Sequence, residues 1–305
     1  MLQPKYTDMK LFLVVNPISG GVNKEPFLKK AEALMKKYGL EYEIFKTTGV
    51  DDEQRLKVAL DGYQPDRVVS VGGDGTTLFT SIALMGTDYP VGIIPLGSAN
   101  GMATELYVNP TPIEALKDII MSNTIGGLDM LVINDEHYTM HVGDVGINAN
   151  IVDAYSKDKR RGMETYAKYF LKELDKLEYF NMKIKANGKS QEYRGLMVAV
   201  CNSKKYGTGV PLNAVGNPMD GKFELVVVEK VDTMSLIKSG LSKFDEKYLK
   251  SQYAQLIECT EAEIMFDSPR LLQLDGEVIG KYDKLDVRIL KNAVNLITHH
   301  DNKHL

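Results

Sequence analysis

Two cysteines, Cys201 and Cys259, stand far apart in 305 residues, with no metal-ligand pattern beside them. That rules out a disulfide framework and reads as two buried, reduced thiols in a cytoplasmic protein. No stretch approaches the roughly 18 consecutive apolar residues of a membrane span, so no transmembrane anchor is expected. The start, Met1-Leu2-Gln3-Pro4-Lys5, lacks the charged-then-apolar layout of a secretory leader. Net charge is only −4, which argues against a dominant nucleic-acid-binding surface. There is no internal repeat and no low-complexity tract. Gly-x-x-x-x-Gly-Lys-Ser/Thr is missing, which excludes a P-loop. Leu78 stands where a dinucleotide fingerprint needs its third glycine.

What is present is an ordinary globular composition, 44% hydrophobic and 26% charged, in a chain long enough for about two domains. The first 130 residues alternate strand and helix signals. Strands are expected at 10–15, 41–45, 67–71 and 90–95, and helices at 26–38 and 51–60. This rhythm predicts an open parallel sheet with helices on both faces, which places ligands at the carboxyl ends of its strands. After about Asp129 the pattern turns to strands at 131–133, 137–142, 182–186, 196–201, 223–228, 263–266, 271–274 and 285–290. Turn signals such as Asn187-Gly188 and Asp220-Gly221 separate several of them, the mark of an antiparallel β domain. Helices are expected at 166–179 and within 231–250.

The most informative stretch is Val71-Gly72-Gly73-Asp74-Gly75-Thr76, directly after the apolar run 67–71. Three glycines in four positions let backbone N–H groups close on a phosphate, and Asp74 sets a carboxylate among them. A helix expected from about Thr76 to Met85 would aim its positive end at the same place. The hexapeptide reads as a nucleotide triphosphate site; a turn that only reverses the chain, with Asp74 as a helix cap, is the plainer alternative. Two more loops follow strands, Asn16-Pro17-Ile18-Ser19-Gly20-Gly21 and Leu96-Gly97-Ser98-Ala99-Asn100-Gly101, and all three can converge on one crevice.

With these loops and the domain order in hand, the chain resembles the diacylglycerol kinase catalytic-domain family, which includes soluble bacterial lipid kinases and sphingosine kinases. Five ordered segments carry the likeness: Asn16-Pro17-Ile18-Ser19-Gly20, Gly72-Gly73-Asp74-Gly75-Thr76, Pro95-Leu96-Gly97-Ser98-Ala99-Asn100, Gly207-Thr208-Gly209 with Pro211 and Ala214, and Leu274-Asp275-Gly276-Glu277. The resemblance implies a doubly wound, NAD kinase/diacylglycerol kinase-like α/β domain over 1–130 and an antiparallel β-sandwich over 131–290. The tail, about 291–305, would pack back on the first domain. It implies ATP in the interdomain cleft, with Asn16, Pro17, Ser19, Gly20, Gly73, Asp74, Gly75, Thr76, Ser98 and Asn100 around it and Thr47 joining them. Asp74 suits Mg²⁺, whose ligands are hard oxygens, and Asp129 falls where the family carries another carboxylate of that network. Glu277 would take the acceptor hydroxyl's proton, with Asp275 assisting; solvated carboxylates on a hairpin turn are the alternative. Asn217, Asp220 and Lys222 match a stretch where family members hold a structural Mg²⁺, though Asp220-Gly221 is equally a tight turn.

The expected activity is ATP-dependent phosphorylation of a lipid hydroxyl, diacylglycerol or a sphingoid-type acceptor, within phospholipid metabolism. It implies transient peripheral membrane contact; a homodimer stays open. Two departures bear on turnover. Gly101 stands where bacterial diacylglycerol kinases have aspartate, and Gly21 stands where members often have lysine, leaving Lys24 to substitute. The rival readings are an NAD kinase, against which the missing Asn-Glu dipeptide counts, and a nucleotide- or lipid-binding member without turnover. Lys157 to Arg161 is a solvated face or a patch for anionic lipid heads. His299, His300 and Asp301 read as a disordered polar tail or a weak metal clamp.

Overall fold

In a computed structural model, the described residues are 9–156, 178–204, 212–213, 215–230 and 254–305. Chain contacts divide the protein into two units, Met1–Leu128 with Asn292–Leu305, and Asp129–Lys291. Outside the described residues lie the expected Gly207-Thr208-Gly209 segment with Pro211 and Ala214, the basic run 157–161 and the helix within 231–250. So does the helix expected at 166–179, except for Glu178 and Tyr179.

The first unit is built from β1 (Lys10–Val15), α1 (Glu25–Tyr38), β2 (Glu41–Lys46), α2 (Asp52–Tyr63), β3 (Arg67–Gly72), α3 (Asp74–Leu84), β4 (Val91–Pro95), α4 (Gly101–Glu105) and α5 (Pro112–Met121). Pairing runs β2-β1-β3-β4, all parallel. Parallel strands buried on both faces need continuous apolar sequence, and β1 (Lys-Leu-Phe-Leu-Val-Val) supplies it, with Leu11 to Val15 fully buried. Alternation then sorts its side chains. Leu11, Leu13 and Val15 meet Phe27, Leu28, Ala31 and Met35 of α1 and Leu116 and Ile120 of α5. Phe12 points the other way, stacked on Phe45 and tilted against Tyr63 at the end of α2. The helix stops read locally: Gly39 closes α1 at φ 69°, and Pro112 opens α5 at its first turn. From β1 the chain steps outward to β2, then returns to β3 on the opposite side. The sheet therefore reverses its winding between β1 and β3, and the carboxyl ends of those two strands flank the place where such sheets bind ligands.

The second unit continues with β5 (Thr124–Ile133), β6 (His137–Thr139), β7 (Val142–Gly146), α6 (Ile147–Ser156), β8 (Phe180–Ala186), β9 (Lys189–Gly195), β10 (Met197–Cys201), β11 (Phe223–Val228), β12 (Ala254–Cys259), β13 (Glu261–Leu274) and β14 (Glu277–Thr298). Strands β5 and β14 each carry the chain from one unit to the other. Antiparallel pairing runs β12-β11-β10-β7-β13-β14, with β8 joining β13 to β9. The expected strands 263–266 and 271–274 are one strand. A register shift between Met265 and Arg270 lets the first half of β13 pair with β8 and the second half with β7. Phe180, Met182, Ile184, Val198, Phe223, Leu225, Ile264, Leu272 and Leu285 fill the apolar core.

His299, His300 and Asp301, read as a disordered polar tail or a weak metal clamp, lie in an ordered turn. The end of β14 pairs in parallel with β4 at Leu296–Val91, and beyond it Asn302 and His304 are buried. His299 and His300 approach Asp301, but His300 is exposed, and no cluster of three metal-ligating side chains occurs among the described residues.

The two thiols are buried and free, and burial pushes Cys259 up to about 12 and Cys201 well above its ordinary value. Both lie near Glu224 of β11, a buried carboxyl that accepts a bond from Asn213 Nδ2. Burial raises Glu224 to about 7, helped by Asp220 and Glu258 and opposed by Asn213 and Lys222. The folded chain holds this proton more tightly than the unfolded chain does. Its contribution is therefore complete below the ordinary value of 4.5 and is lost as pH rises toward 7. Glu224→Gln is expected to remove that slope. Denaturant melts from acid to neutral pH should show wild type losing roughly 3 kcal/mol relative to the variant.

Candidate active site

Three loops leave the carboxyl ends of β1, β3 and β4, and glycine governs how closely they meet. Gly20, at φ 63°, lies against Gly97 and Ser98, and a Cβ there would come within 2.7 Å of their backbone. A Cβ on Gly97 would reach 2.3 Å from Gly73 Cα, and one on Gly73 would stand 3.0 Å from Gly97 Cα. Backbone thus packs on backbone. Three hydrogen bonds tie the loops together: Asn16 N–H to Val71 O (3.3 Å), Gly73 N–H to Ser19 Oγ (3.0 Å) and Leu96 N–H to Gly72 O (2.8 Å). Asn16 Oδ1 also accepts from Ile18 N–H, turning the first loop. Pro17, Gly20, Gly75 and Ser98 are exposed on the rim, and Thr47, anchored by N–H to Val15 O, is half-buried beyond β2.

Asp74 begins α3 instead of preceding it, and its carboxylate caps a different helix from the one it starts. Its two oxygens accept from Gly101 N–H and Met102 N–H, both at 2.9 Å, the first amides of α4. Asn100, in the left-handed region at φ 56°, bends the chain into that helix. Its side chain accepts from Gly97 N–H and donates back to Gly97 O. Gly101 meets Asp74 through its backbone amide, a bond that any non-proline residue at this position could donate. Thr76 Oγ1 is buried beside Gly72 without a hydrogen-bond partner. Lys24 does not substitute for the missing lysine: its buried ammonium donates to the carbonyls of Ser19 and Val22, and burial lowers its pKa. It braces the first loop from inside.

In the second unit, Asp275 and Gly276 are the two residues of the β13–β14 hairpin turn, at φ 50° and 88°, joining the pair Leu274–Glu277. Positive φ at both positions is what a type I′ hairpin needs, and Asp-Gly provides it. Asp275 is half-buried and held by hydrogen bonds. Its carboxylate accepts from Thr139 Oγ1 (2.7 Å), Val142 N–H (3.1 Å) and Met140 N–H (3.4 Å), and burial raises its pKa against the effect of nearby His141 and these donors. Glu277 is exposed, two residues on. The hairpin therefore divides the expected pair into a fixed, interior carboxyl and a free one. Thr139 lies 136 residues before its partner, so no local sequence signal could have found it.

The remaining metal candidates gather at one turn. Asp129 is buried and accepts from Gly221 N–H at 2.6 Å, while its own N–H donates to Pro218 O. Asn217 Oδ1 accepts from Met219 N–H, Asp220 Oδ1 accepts from Lys222 N–H, and Lys222 Nζ pairs with Glu258 at 2.7 Å. The structure brings Asp129, Asn217, Asp220 and Lys222 together within the second unit.

Glycine loops meeting at the reversal point of a parallel sheet, joined in one chain to an antiparallel β domain with a carboxylate hairpin, define a two-unit fold, α/β followed by β. The family comparisons specify it. Residues 10–132 match the diacylglycerol kinase catalytic domain, and residues 142–298 match the YegS C-terminal NAD kinase beta sandwich-like domain. The chain belongs to this lipid-kinase family of diacylglycerol kinase and YegS type. A Staphylococcus carnosus (strain TM300) protein provisionally named a lipid kinase is 29% identical over 247 residues, 77% of this chain and 78% of its own. Bacillus subtilis (strain 168) diacylglycerol kinase is 22% identical over 276 residues, 88% of this chain and 89% of its own. A crystal structure provisionally named a diacylglycerol kinase, from Bacillus anthracis str. Sterne, shares the fold with TM-score 0.75 at 20% identity. It covers 96% of this chain and 98% of the other. Among the described residues, no helix is long and apolar enough to cross a membrane.

The first-unit residues fit a phosphate chain by their chemistry. The first-turn amides of Asp74 and Gly75 have no intrahelical acceptor, a Cβ on Gly75 would meet nothing within 4 Å, and the Thr76 hydroxyl lacks a partner. Each Asp74 oxygen carries one amide bond and keeps a lone pair for a hard cation. Loop contact makes a sharp prediction. Gly97→Ala should destabilise the chain by about 2–3 kcal/mol through backbone overlap, whereas Gly75→Ala, facing open space, should cost less than about 0.5 kcal/mol. Urea titration of both variants reads the difference.

Proposed function

We propose that this protein transfers the γ-phosphoryl group of ATP to a lipid hydroxyl, with diacylglycerol or a sphingoid-type base as acceptor. The observation that carries the reading is the meeting of three glycine loops at the reversal point of the first unit's sheet, with the Asp74 carboxylate fixed among them by two amides. Donor chemistry falls to that unit. Amides of the α3 first turn and the Thr76 hydroxyl bind phosphate oxygens, and the helix end favours their charge. A magnesium ion on the free lone pairs of Asp74 would supply neutralisation of the phosphates.

Acceptor chemistry falls to the second unit. The lipid hydroxyl oxygen attacks the γ-phosphorus, and the bond from phosphorus to the bridging oxygen of ADP breaks. The hydroxyl proton passes to Glu277, the exposed carboxylate of the hairpin, and ADP leaves. Asp275, held by Thr139 and two backbone amides, keeps the turn in the shape that presents Glu277. A substrate drawn from a bilayer calls for brief contact with a membrane surface.

The test is incubation with γ-labelled ATP and total lipid extract, followed by identification of the labelled product. A labelled phospholipid is expected, and release of no labelled lipid across the extract would overturn the reading. Asp74→Asn should lower turnover by about a hundredfold or more while the chain still folds, at a cost of about 1–2 kcal/mol for the amide of α4 that loses its acceptor. Glu277→Gln should lower kcat by about a hundredfold with the KM for ATP unchanged. Equal rates in variants and wild type would remove these residues from the chemistry.

A further inference from the structure

The segment after β14, His299–Leu305, is clamped onto α4. His304 Nε2 lies 3.1 Å from Glu105 O and 3.2 Å from Glu105 Oε1. Both neighbours are acceptors, so Nε2 carries the proton and donates to the pair. The two side chains are only 3% and 7% exposed, which among the described residues makes this the ion-type pair with both partners inside. Three more contacts fix the same place. His299 Nε2 bonds Tyr107 O at 2.8 Å, the His304 and Tyr107 rings stand 5.6 Å apart, and Lys303 Nζ lies 5.8 Å over the Tyr107 ring. The segment is itself braced: Asn302 Nδ2 donates to Thr298 Oγ1, and Asn302 Oδ1 accepts from His304 N–H.

Helix α4 is five residues long. Its last residue, Glu105, is the one His304 holds. Its first two amides, Gly101 and Met102, are the ones that hold Asp74. From one end to the other is a single turn of about 6 Å, too short to absorb a displacement by bending. We infer that His304 is a positioning residue for the nucleotide loop. Through Glu105 and α4 it sets the two amides that orient the Asp74 carboxylate, so the last residues of this chain tune how its phosphate site binds ATP. The inference rests on the lipid-kinase reading for its consequence, but not for the mechanical link.

Two measurements on the full chain separate those parts. Hydrogen exchange needs no ligand: the Gly101 and Met102 amides should exchange about tenfold faster in His304→Ala and Glu105→Ala than in wild type. Steady-state kinetics should then show the KM for ATP raised about tenfold in both variants, with the KM for the lipid acceptor unchanged. The double variant should be no worse than either single one. His304→Gln, which keeps a donor, should recover most of the loss, a response that loss of packing alone does not give. Unchanged exchange at the two amides would overturn the link. Faster exchange with an unaltered KM for ATP, or a parallel fall in every kinetic parameter, would overturn the role in positioning. A wild type that never uses ATP would sink the lipid-kinase reading and this role with it, while the exchange result would still report on the clamp.

Discussion

Everything at the candidate site depends on backbone meeting backbone at Gly20, Gly73 and Gly97. Side chains at these positions would hold the loops of β1, β3 and β4 apart, because the space each would fill already contains another loop's main chain. Close approach has a second effect. It brings Leu96 N–H to Gly72 O and Gly73 N–H to Ser19 Oγ, so the loops satisfy one another's polar groups and need little water inside. The glycines therefore do two things: they keep the rim clear of side chains and they weld three loops into one floor beneath it.

Carboxylates in this protein differ by what their surroundings leave them free to do. Asp275 is spent on Thr139 and two amides, and Asp129 is tied to Gly221. Glu224 sits where burial favours its protonated form. Asp74 occupies a middle condition, oriented by two amides yet not saturated by them, while Glu277 is exposed. A group that is to hold a cation needs orientation with spare lone pairs, and one that is to take a proton needs access. That ordering supports giving donor work to Asp74 and acceptor work to Glu277.

Much of the architecture was legible in the sequence because it rests on local chemistry. Continuous apolar runs marked β1 and β3, helical spacing marked α1, and Asn187-Gly188 marked a hairpin that the structure places between β8 and β9. What escaped was polar or distant. Strand β9, Lys-Ser-Gln-Glu-Tyr-Arg-Gly, buries only Tyr193 and Gly195 and carries almost no hydrophobic signal. Strand β14 runs for 22 residues, of which only the middle looked like strand, because its ends face different surroundings. At the site, the residue types were readable and their partners were not. Asp74 pairs with amides 27 and 28 residues away, and Asp275 with a hydroxyl 136 residues away, distances that only the fold can close. Lys24, left to substitute for the lysine that Gly21 replaces, is instead a strut, since nothing in sequence says which way a lysine turns.

Chain order has its own consequence. The first unit takes its outermost parallel strand, beside β4, from residues near 296, after the whole second unit has been traversed. During vectorial synthesis the first unit thus starts to emerge before the second, yet is completed only after it. Until the closing residues emerge, β4 is an edge with unpaired amides and carbonyls, open to another chain's strand. Completion of the first unit's sheet in this sense waits on synthesis of the second.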